Sequence, residues 1–141
     1  MEMKEHAIGE CTTSTGQNSF AAGQYTSAIG KNSIAAGESV KSNEKNSFAF
    51  GRDLNTSAEH QFVCGYNNIA DSNAMFIVGG GINGKSNAFV VHKQGAIQIP
   101  VFTYNSESEK YTKTTDKRYI ILINENNSIT FKIINNLETI E

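Results

Sequence analysis

The side chains of this sequence that could bind a metal ion are three histidines and two cysteines. His6, His60 and His92 are separated by many residues, and Cys11 lies far from Cys64. Zinc clusters use short ligand spacings, and two cysteines are too few for a disulfide framework. A threefold axis between chains could bring three copies of His92 together, because apolar residues surround that position. Within one chain we expect no metal site and no cofactor.

Residue types that hydrolases and phosphate-binding enzymes use are present, but we interpret none of them as part of a catalytic motif. Serine is frequent, but no serine lies in the G-x-S-x-G motif of a nucleophile elbow. The glycine-rich stretch 79–84 is interpreted as a turn rather than a phosphate-binding loop. No acidic pair has a recognisable glycosidase spacing, although a site formed between chains would escape this test. We therefore expect no catalytic residues and no enzymatic activity.

The composition favours β structure with many turns. Gly, Asn and Ser are abundant, Leu is scarce, Trp is absent and Pro100 is the single proline. The net charge of −2 gives no electrostatic attraction to nucleic acid or to anionic lipid. The longest apolar run is far too short to span a bilayer. Neither nucleic-acid binding nor membrane insertion is expected.

A 14-residue repeat organises the first two thirds of the chain. Its glycines recur at this spacing without a miss: Gly9, Gly23, Gly37, Gly51, Gly65 and Gly79. We expect them in turns, because glycine adopts positive φ and allows close backbone approach. A regular repeat of this length predicts a solenoid, with two strands of about five residues in each coil. Residues 6–92 would form about six coils, stacked at ~4.8 Å.

Three columns of apolar residues appear when the repeats are aligned. The first contains Phe20, Ile34, Phe48, Phe62 and Phe76; the second contains Ala22, Ala36, Phe50, Cys64 and Val78; the third contains Ala21, Ala35, Ala49, Val63 and Ile77. Since residues two apart share a strand face, the third column faces away from the other two. One face fills the coil, and the other is covered most simply by a neighbouring copy of the chain. The sequence leaves open which face lies between chains.

Asparagines form a further column at the start of each repeat. Its members are Asn18, Asn32 and Asn46, then Asn73 and Asn87, with His60 in one copy. We expect their amides to stack along the coil axis as a hydrogen-bonded ladder. Asn73 comes one residue early, which predicts a β-bulge near residues 75–77.

The sequence pattern NSFAAGxxxSAIGxNSIAAG (18–37) resembles the YadA-like head of trimeric autotransporter adhesins. The resemblance covers residues 6–92 and implies a left-handed parallel β-roll with three chains side by side. The segment 73–99 also resembles the stretch that closes such repeats in bacteriophage tail and fibre proteins. Both likenesses imply surface attachment or virion display, without catalysis or a cofactor.

The expected fold is therefore an all-β, parallel β-roll of 14-residue coils, homotrimeric, with a C-terminal β-hairpin cap. Residues 1–95 would form the roll and residues 96–141 a cap, trimerisation or attachment element. Within the latter, 96–104 is predicted as a strand with Pro100 at an edge or bend, 105–118 as a polar loop and 119–134 as a hairpin.

The function expected from these features is structural. The absence of an N-terminal apolar segment favours a trimeric bacteriophage virion appendage, such as a tail or head fibre used in assembly or host attachment. The alternatives are the head of a bacterial autotransporter adhesin on the outer membrane and a glycan-cleaving phage spike. Expected partners are sister chains, other virion or appendage proteins, and a host surface protein or glycan.

Overall fold

The computed structural model describes residues 5–105, 110–125 and 128–134, with side chains for residues 5–99 and for Ile120, Lys132 and Ile133. These residues form thirteen β-strands and no helix. The strands are β1 (His6–Glu10), β2 (Thr13–Ser14), β3 (Phe20–Gln24), β4 (Ser27–Ala28), β5 (Ile34–Glu38), β6 (Lys41–Ser42), β7 (Phe48–Arg52), β8 (Phe62–Tyr66), β9 (Ala74–Gly80), β10 (Asn87–His92), β11 (Ile97–Asn105), β12 (Lys110–Glu125) and β13 (Ser128–Ile134).

Six of these strands stack in parallel, one coil above another. β1, β3, β5, β7, β8 and β9 are consecutive neighbours in one sheet, joined by five turns of the chain. Their register equals the repeat, so that Phe20 pairs with Ile34 and Phe48 with Phe62. The short strands β2, β4 and β6 form a second parallel sheet. The expected parallel β-solenoid with 14-residue coils is confirmed.

The second strand of each coil is shorter than expected, with two residues instead of about five. After the bridge between Lys41 and Asn55, side-chain amides replace the strand. The Asn68 amide accepts from Asn55 N at 2.9 Å and donates to Asn55 O at 3.1 Å. Asn87 makes the same two bonds to the backbone of Ile69 at 2.8 and 2.9 Å. These amides satisfy backbone groups that the missing strand leaves open.

The repeat glycines lie inside the long strands, so the expectation that they form turns is wrong. Gly23 has φ 127° within β3, and a Cβ there would lie 1.9 Å from the carbonyl oxygen of Gly37. Close approach between coils is thus what requires glycine. The corners instead use left-handed non-glycine residues, such as Tyr25 at φ 53° and Asn32 at φ 55°. Asparagine tolerates this conformation better than most residues do.

The third column of the repeat fills the roll. Ala21, Ala35, Ala49, Val63 and Ile77 are all 0% exposed. They belong to one cluster with Ala28, Val40 and Leu54 of the opposite wall. Small side chains fit here because the two walls of a thin coil lie close together. The third column therefore faces the interior, and the phenylalanine column lies on the outside of the roll.

The parallel winding ends at β9, so the expected sixth coil is wrong. β10 runs antiparallel to β9, and Val90 pairs with Ile77. The chain reverses through residues 81–86, where Gly80 N donates to Ser86 O at 2.9 Å. β8 and β9 pair without a register shift. The bulge predicted near 75–77 lies on the other side of β9, where Val91 and His92 of β10 pair with Phe76 and Ala74 and leave Met75 as the extra residue. A second register shift lies between Asn87 and Phe89.

Three antiparallel strands follow β10 in the same sheet. The strand predicted for 96–104 is confirmed as β11, with a register shift just after Pro100. The predicted hairpin is confirmed as the antiparallel pair β12–β13. The predicted loop 105–118 is wrong, because residues 110–118 belong to β12 and pair with β11. This segment is polar, but it contains Tyr111 and three threonines, which favour strands.

Candidate functional site

The most distinctive surface of the molecule is the apolar side of the large sheet. This outer face is defined by the first two columns of the repeat: Phe20, Ile34, Phe48, Phe62 and Phe76, with Ala22, Ala36, Phe50, Cys64 and Val78. Its side chains are partly exposed, in contrast to the buried column between them. Phe50 is 58% exposed and Phe62 is 37% exposed. A continuous apolar surface of this kind marks an interaction site in a protein that must stay in water.

Stacking of the coils arranges the phenylalanine rings of the outer face. The ring centroids of Phe48 and Phe62 lie 5.0 Å apart at an interplanar angle of 6°, and those of Phe62 and Phe76 lie 5.4 Å apart at 15°. Phe76 meets Phe89 of β10 edge-on, at 6.1 Å and 71°. These distances follow from the spacing of paired strands, which holds equivalent side chains at contact distance. The rings therefore form a rigid, regularly ridged surface.

The outer face continues past the last coil onto β10. Val91 pairs with Phe76 and Phe89 pairs with Val78, while Val90 between them is buried. Two apolar residues thus extend both columns by one strand. The roll and the first strand beyond it present a common surface.

Cys64 lies on the outer face and is half-buried. It lies among apolar neighbours, with part of its surface open. Burial raises the pKa of its thiol above the ordinary value for cysteine. The thiolate is disfavoured there, so Cys64 is less nucleophilic than an open cysteine.

The asparagine ladder is present along one corner of the roll. Asn18 Nδ2 donates to Asn32 Oδ1 at 3.2 Å, and Asn32 Nδ2 donates to Asn46 Oδ1 at 3.0 Å. Asn46 Nδ2 then lies 3.4 Å from Nδ1 of His60. Asn87 is used elsewhere, against Ile69. The prediction is confirmed for the first coils, and the contact with His60 is its last step.

The three histidines do not come together. His6 is exposed in β1 and His60 is exposed at a corner, whereas His92 is only 2% exposed. His92 lies 3.8 Å from the Asp71 carboxylate and 3.3 Å from the Gln98 side chain. It shares the inner side of β10 with Val90, away from the outer face, so a ring of three His92 residues would require unpacking of this end. In the part of the chain that the structure describes, no group of three or more His, Cys, Asp and Glu residues could hold a metal ion.

The interpretation of the sequence missed one motif. Residues 79–86, GGGINGKS, match the G-x4-G-K-S spacing of phosphate-binding loops. Such a loop needs a helix after it, whereas here β10 follows. Three of its N–H groups are engaged within the fold, since Gly80 N donates to Ser86 O, Gly81 N to Tyr66 O and Ser86 N to Asn67 O. The match does not form an anion site, and the turn interpretation is correct.

A shallow depression lies where the last coil meets the β10–β11 turn. It has a volume of about 630 Å³ and is lined by Ser57, Ala58, Glu59, His60, Ser72, Met75 and Lys93. His60 lies 3.9 Å from the Glu59 carboxylate. Among the described residues, no hydrogen bond joins His60 to Ser57 or Ser72. The hydrogen bond by which a histidine activates a serine nucleophile is therefore not formed between these described residues.

No known protein-family model, curated protein or solved structure matches this chain. The observed coil length is compatible with the β-roll that the YadA-like resemblance implies. The described residues include no helix long and apolar enough to cross a membrane.

Proposed function

We propose that this chain is a non-catalytic structural module that assembles as a homotrimer through its outer face. The observation that supports this is the apolar surface running from Phe20 on β3 to Phe89 on β10. Its inner counterpart is completely buried, whereas the outer face lacks a cover among the described residues. Covering such a surface releases water and stabilises an assembly by about 25 cal/mol per Å² of apolar area.

The shape of the outer face favours a sister chain as its cover. The phenylalanine rings of β7, β8 and β9 repeat at 5.0–5.4 Å along the roll axis. A partner that interlocks with these ridges must repeat at the same spacing, and a second copy does so by construction. We infer three chains in the assembly from the resemblance of residues 6–92 to YadA-like heads.

The assembly would act as the head or shaft of a surface appendage. We assign it to a bacteriophage virion, as a tail or head fibre component, on the likeness of residues 73–99 to segments that close such repeats. A role as the head of a bacterial surface adhesin uses the same assembly. In either setting the strands β10–β13 act as the C-terminal cap, because β10 pairs with the edge of β9 and the sheet then continues through β11 to the hairpin β12–β13.

Light scattering after size-exclusion chromatography tests the assembly. The full chain is expected to have three times its own mass of 15.4 kDa. Phe50→Asp places a charge on the outer face and should yield the monomer. Tyr25→Asp is the matched control, because Tyr25 is 55% exposed at a corner away from that face. A monomeric native chain, or equal masses for the two variants, would contradict the proposal.

A further inference from the structure

The N-terminal end of the roll presents an uncovered strand edge. β1 pairs with β3 on one side, and no described strand pairs with its other side. All five of its residues are exposed, including Ile8 at 62%. At the opposite end, the equivalent edge of β9 is paired by β10. The two ends of the roll therefore differ.

The first coil keeps the backbone geometry of an internal coil. Gly9 has φ 128° and Gly23 has φ 127°, while Cys11 and Tyr25 have φ 51° and 53°. Natural edge strands are usually blocked by a proline, a bulge or an inward-pointing charge. β1, with sequence HAIGE, has no proline, and its register with β3 is unbroken. Its edge remains a template for another strand.

The hydrogen-bonding groups of this edge can be assigned. His6 N donates to Ser19 O at 3.2 Å, and Glu10 O accepts from Tyr25 N at 2.9 Å, so these residues direct their backbone groups toward β3. Because the direction alternates along a strand, Ala7 and Gly9 direct theirs toward the open side. Ala7 and Gly9 thus offer two N–H and two C=O groups to an incoming strand.

The stacking of the coils restricts which strand can bind there. A Cβ on Gly9 would lie 1.9 Å from the carbonyl oxygen of Gly23, and every internal glycine of the repeat has a similar contact with the next coil. A residue stacked on Gly9 must therefore be glycine. The residue stacked on Ala7 faces the roll interior, whose first coils hold alanine at this position (Ala21 and Ala35, both 0% exposed), so alanine continues the packing of this end.

We propose that the free edge of β1 binds a parallel strand of a partner protein that carries the same repeat, with alanine opposite Ala7 and glycine opposite Gly9. A second copy of this chain cannot supply its own last coil, because β10 pairs with the edge of β9. Main-chain bonds provide the affinity, and the glycine register provides the specificity. The edge lies outside the outer face, so the two proposals are independent.

A labelled peptide with the sequence of residues 20–33, FAAGQYTSAIGKNS, is the probe for this edge. Fluorescence anisotropy with the full chain should show saturable binding, at least about tenfold tighter than for the same peptide with valine in fourth place. Hydrogen exchange should slow at the amides of residues 7–11. Ala7→Pro removes one edge donor without breaking a bond to β3, and should weaken binding by about tenfold.

Ala7→Ser keeps the donor and should bind as the native chain does. Circular dichroism of both variants verifies that the roll is intact. The proposal would be overturned if the two peptides bound with equal affinity or if neither bound. Unchanged binding by Ala7→Pro, or protection from exchange elsewhere in the chain, would also overturn it. The mass measured by light scattering tests the proposed trimer separately. Either proposal can therefore be contradicted while the other holds.

Discussion

Ala28 and Ser33 occupy the two positions at which hydroxyl groups meet in the neighbouring coils. One coil earlier, Ser14 Oγ lies 2.6 Å from Ser19 Oγ, and one coil later Ser42 Oγ lies 2.7 Å from Ser47 Oγ. Alanine at position 28 removes one hydroxyl from the middle pair. Ser33 Oγ is consequently buried without a hydrogen-bond partner. An unsatisfied buried hydroxyl destabilises the folded state.

Ala28→Ser should therefore stabilise the roll. The new hydroxyl would meet Ser33 as Ser42 meets Ser47, and the gain should be about 0.5–1.5 kcal/mol. Ser33→Ala removes the unpaired group and should be neutral or stabilising, whereas Ser47→Ala breaks an existing pair and should destabilise. Urea denaturation at a fixed protein concentration measures all three. A destabilised Ala28→Ser variant would show that the interior lacks room for the oxygen atom.

Phe62 and Val63 are adjacent residues on opposite faces of β8, and their substitutions should separate assembly from folding. Val63 is 0% exposed, so Val63→Asp buries a charge without a partner, a penalty comparable with the about 5–15 kcal/mol stability of a typical domain. Phe62 is 37% exposed, so Phe62→Asp should leave a folded monomer. Circular dichroism and light scattering distinguish the two results.

Val63→Ala serves as the milder interior variant, since it stays folded and should keep the native mass. A folded, fully assembled Phe62→Asp variant would remove the outer face from the interface. Loss of fold in both Asp variants, with assembly retained in Val63→Ala, would leave Phe50→Asp as the decisive test.

The period and the columns could be predicted because a regular coil brings the same side chains together at every turn. The side of the sheet that faces inward was not predicted, since Phe48 and Ala49 both belong to apolar columns. The signal was size: a thin coil accommodates Ala49, whereas Phe48 needs the outside. The reversal at β10 was also missed, although Phe89 follows Phe76 by 13 residues rather than 14. The repeat copy that contains Phe89 is therefore one residue out of phase with the coils.

Alanine substitutions at Gly23 and Gly84 should distinguish the cost of backbone strain from the cost of a steric collision. Both have positive φ, at 127° and 119°, so alanine at either position should be strained by about 1–3 kcal/mol. A Cβ on Gly84 has no atom within 4 Å, whereas a Cβ on Gly23 would collide with Gly37 O. Gly23→Ala should therefore destabilise much more than Gly84→Ala in thermal unfolding. Similar losses would show that the coils can separate locally.

Cys64 should report on the outer face through its reactivity. Its pKa is raised by burial, so the fraction of reactive thiolate is small near neutral pH and increases as the pH rises. Alkylation of Cys64 should be slower than that of exposed Cys11, and the difference should narrow at higher pH. In the assembled protein the rate at Cys64 should fall further, and Phe20→Asp, a substitution on the outer face three strands away from Cys64, should restore it. Equal rates in the native chain and Phe20→Asp would place Cys64 outside the interface.

Gln61 closes the polar interior at the last coil, where it replaces the serine of the earlier repeats. Its side chain is 1% exposed and makes three hydrogen bonds to backbone. Nε2 donates to Asp71 O and Ala74 O, both at 2.8 Å, and Oε1 accepts from Ser57 N at 2.8 Å. One amide thus ties together three backbone groups at the point where the repeat becomes irregular.

Gln61→Met keeps the length of the side chain and should destabilise the roll by about 3 kcal/mol or more, because three backbone groups lose their partner. Gln24→Met is the matched control: its Nε2 donates to Glu10 Oε2 at 2.8 Å in an exposed position, where water replaces the lost bond. That variant should change stability by less than about 0.5 kcal/mol. Urea denaturation of both, at one protein concentration, gives the difference. If Gln61→Met is as stable as Gln24→Met, water reaches these backbone groups and the end of the roll is more open than its packing indicates.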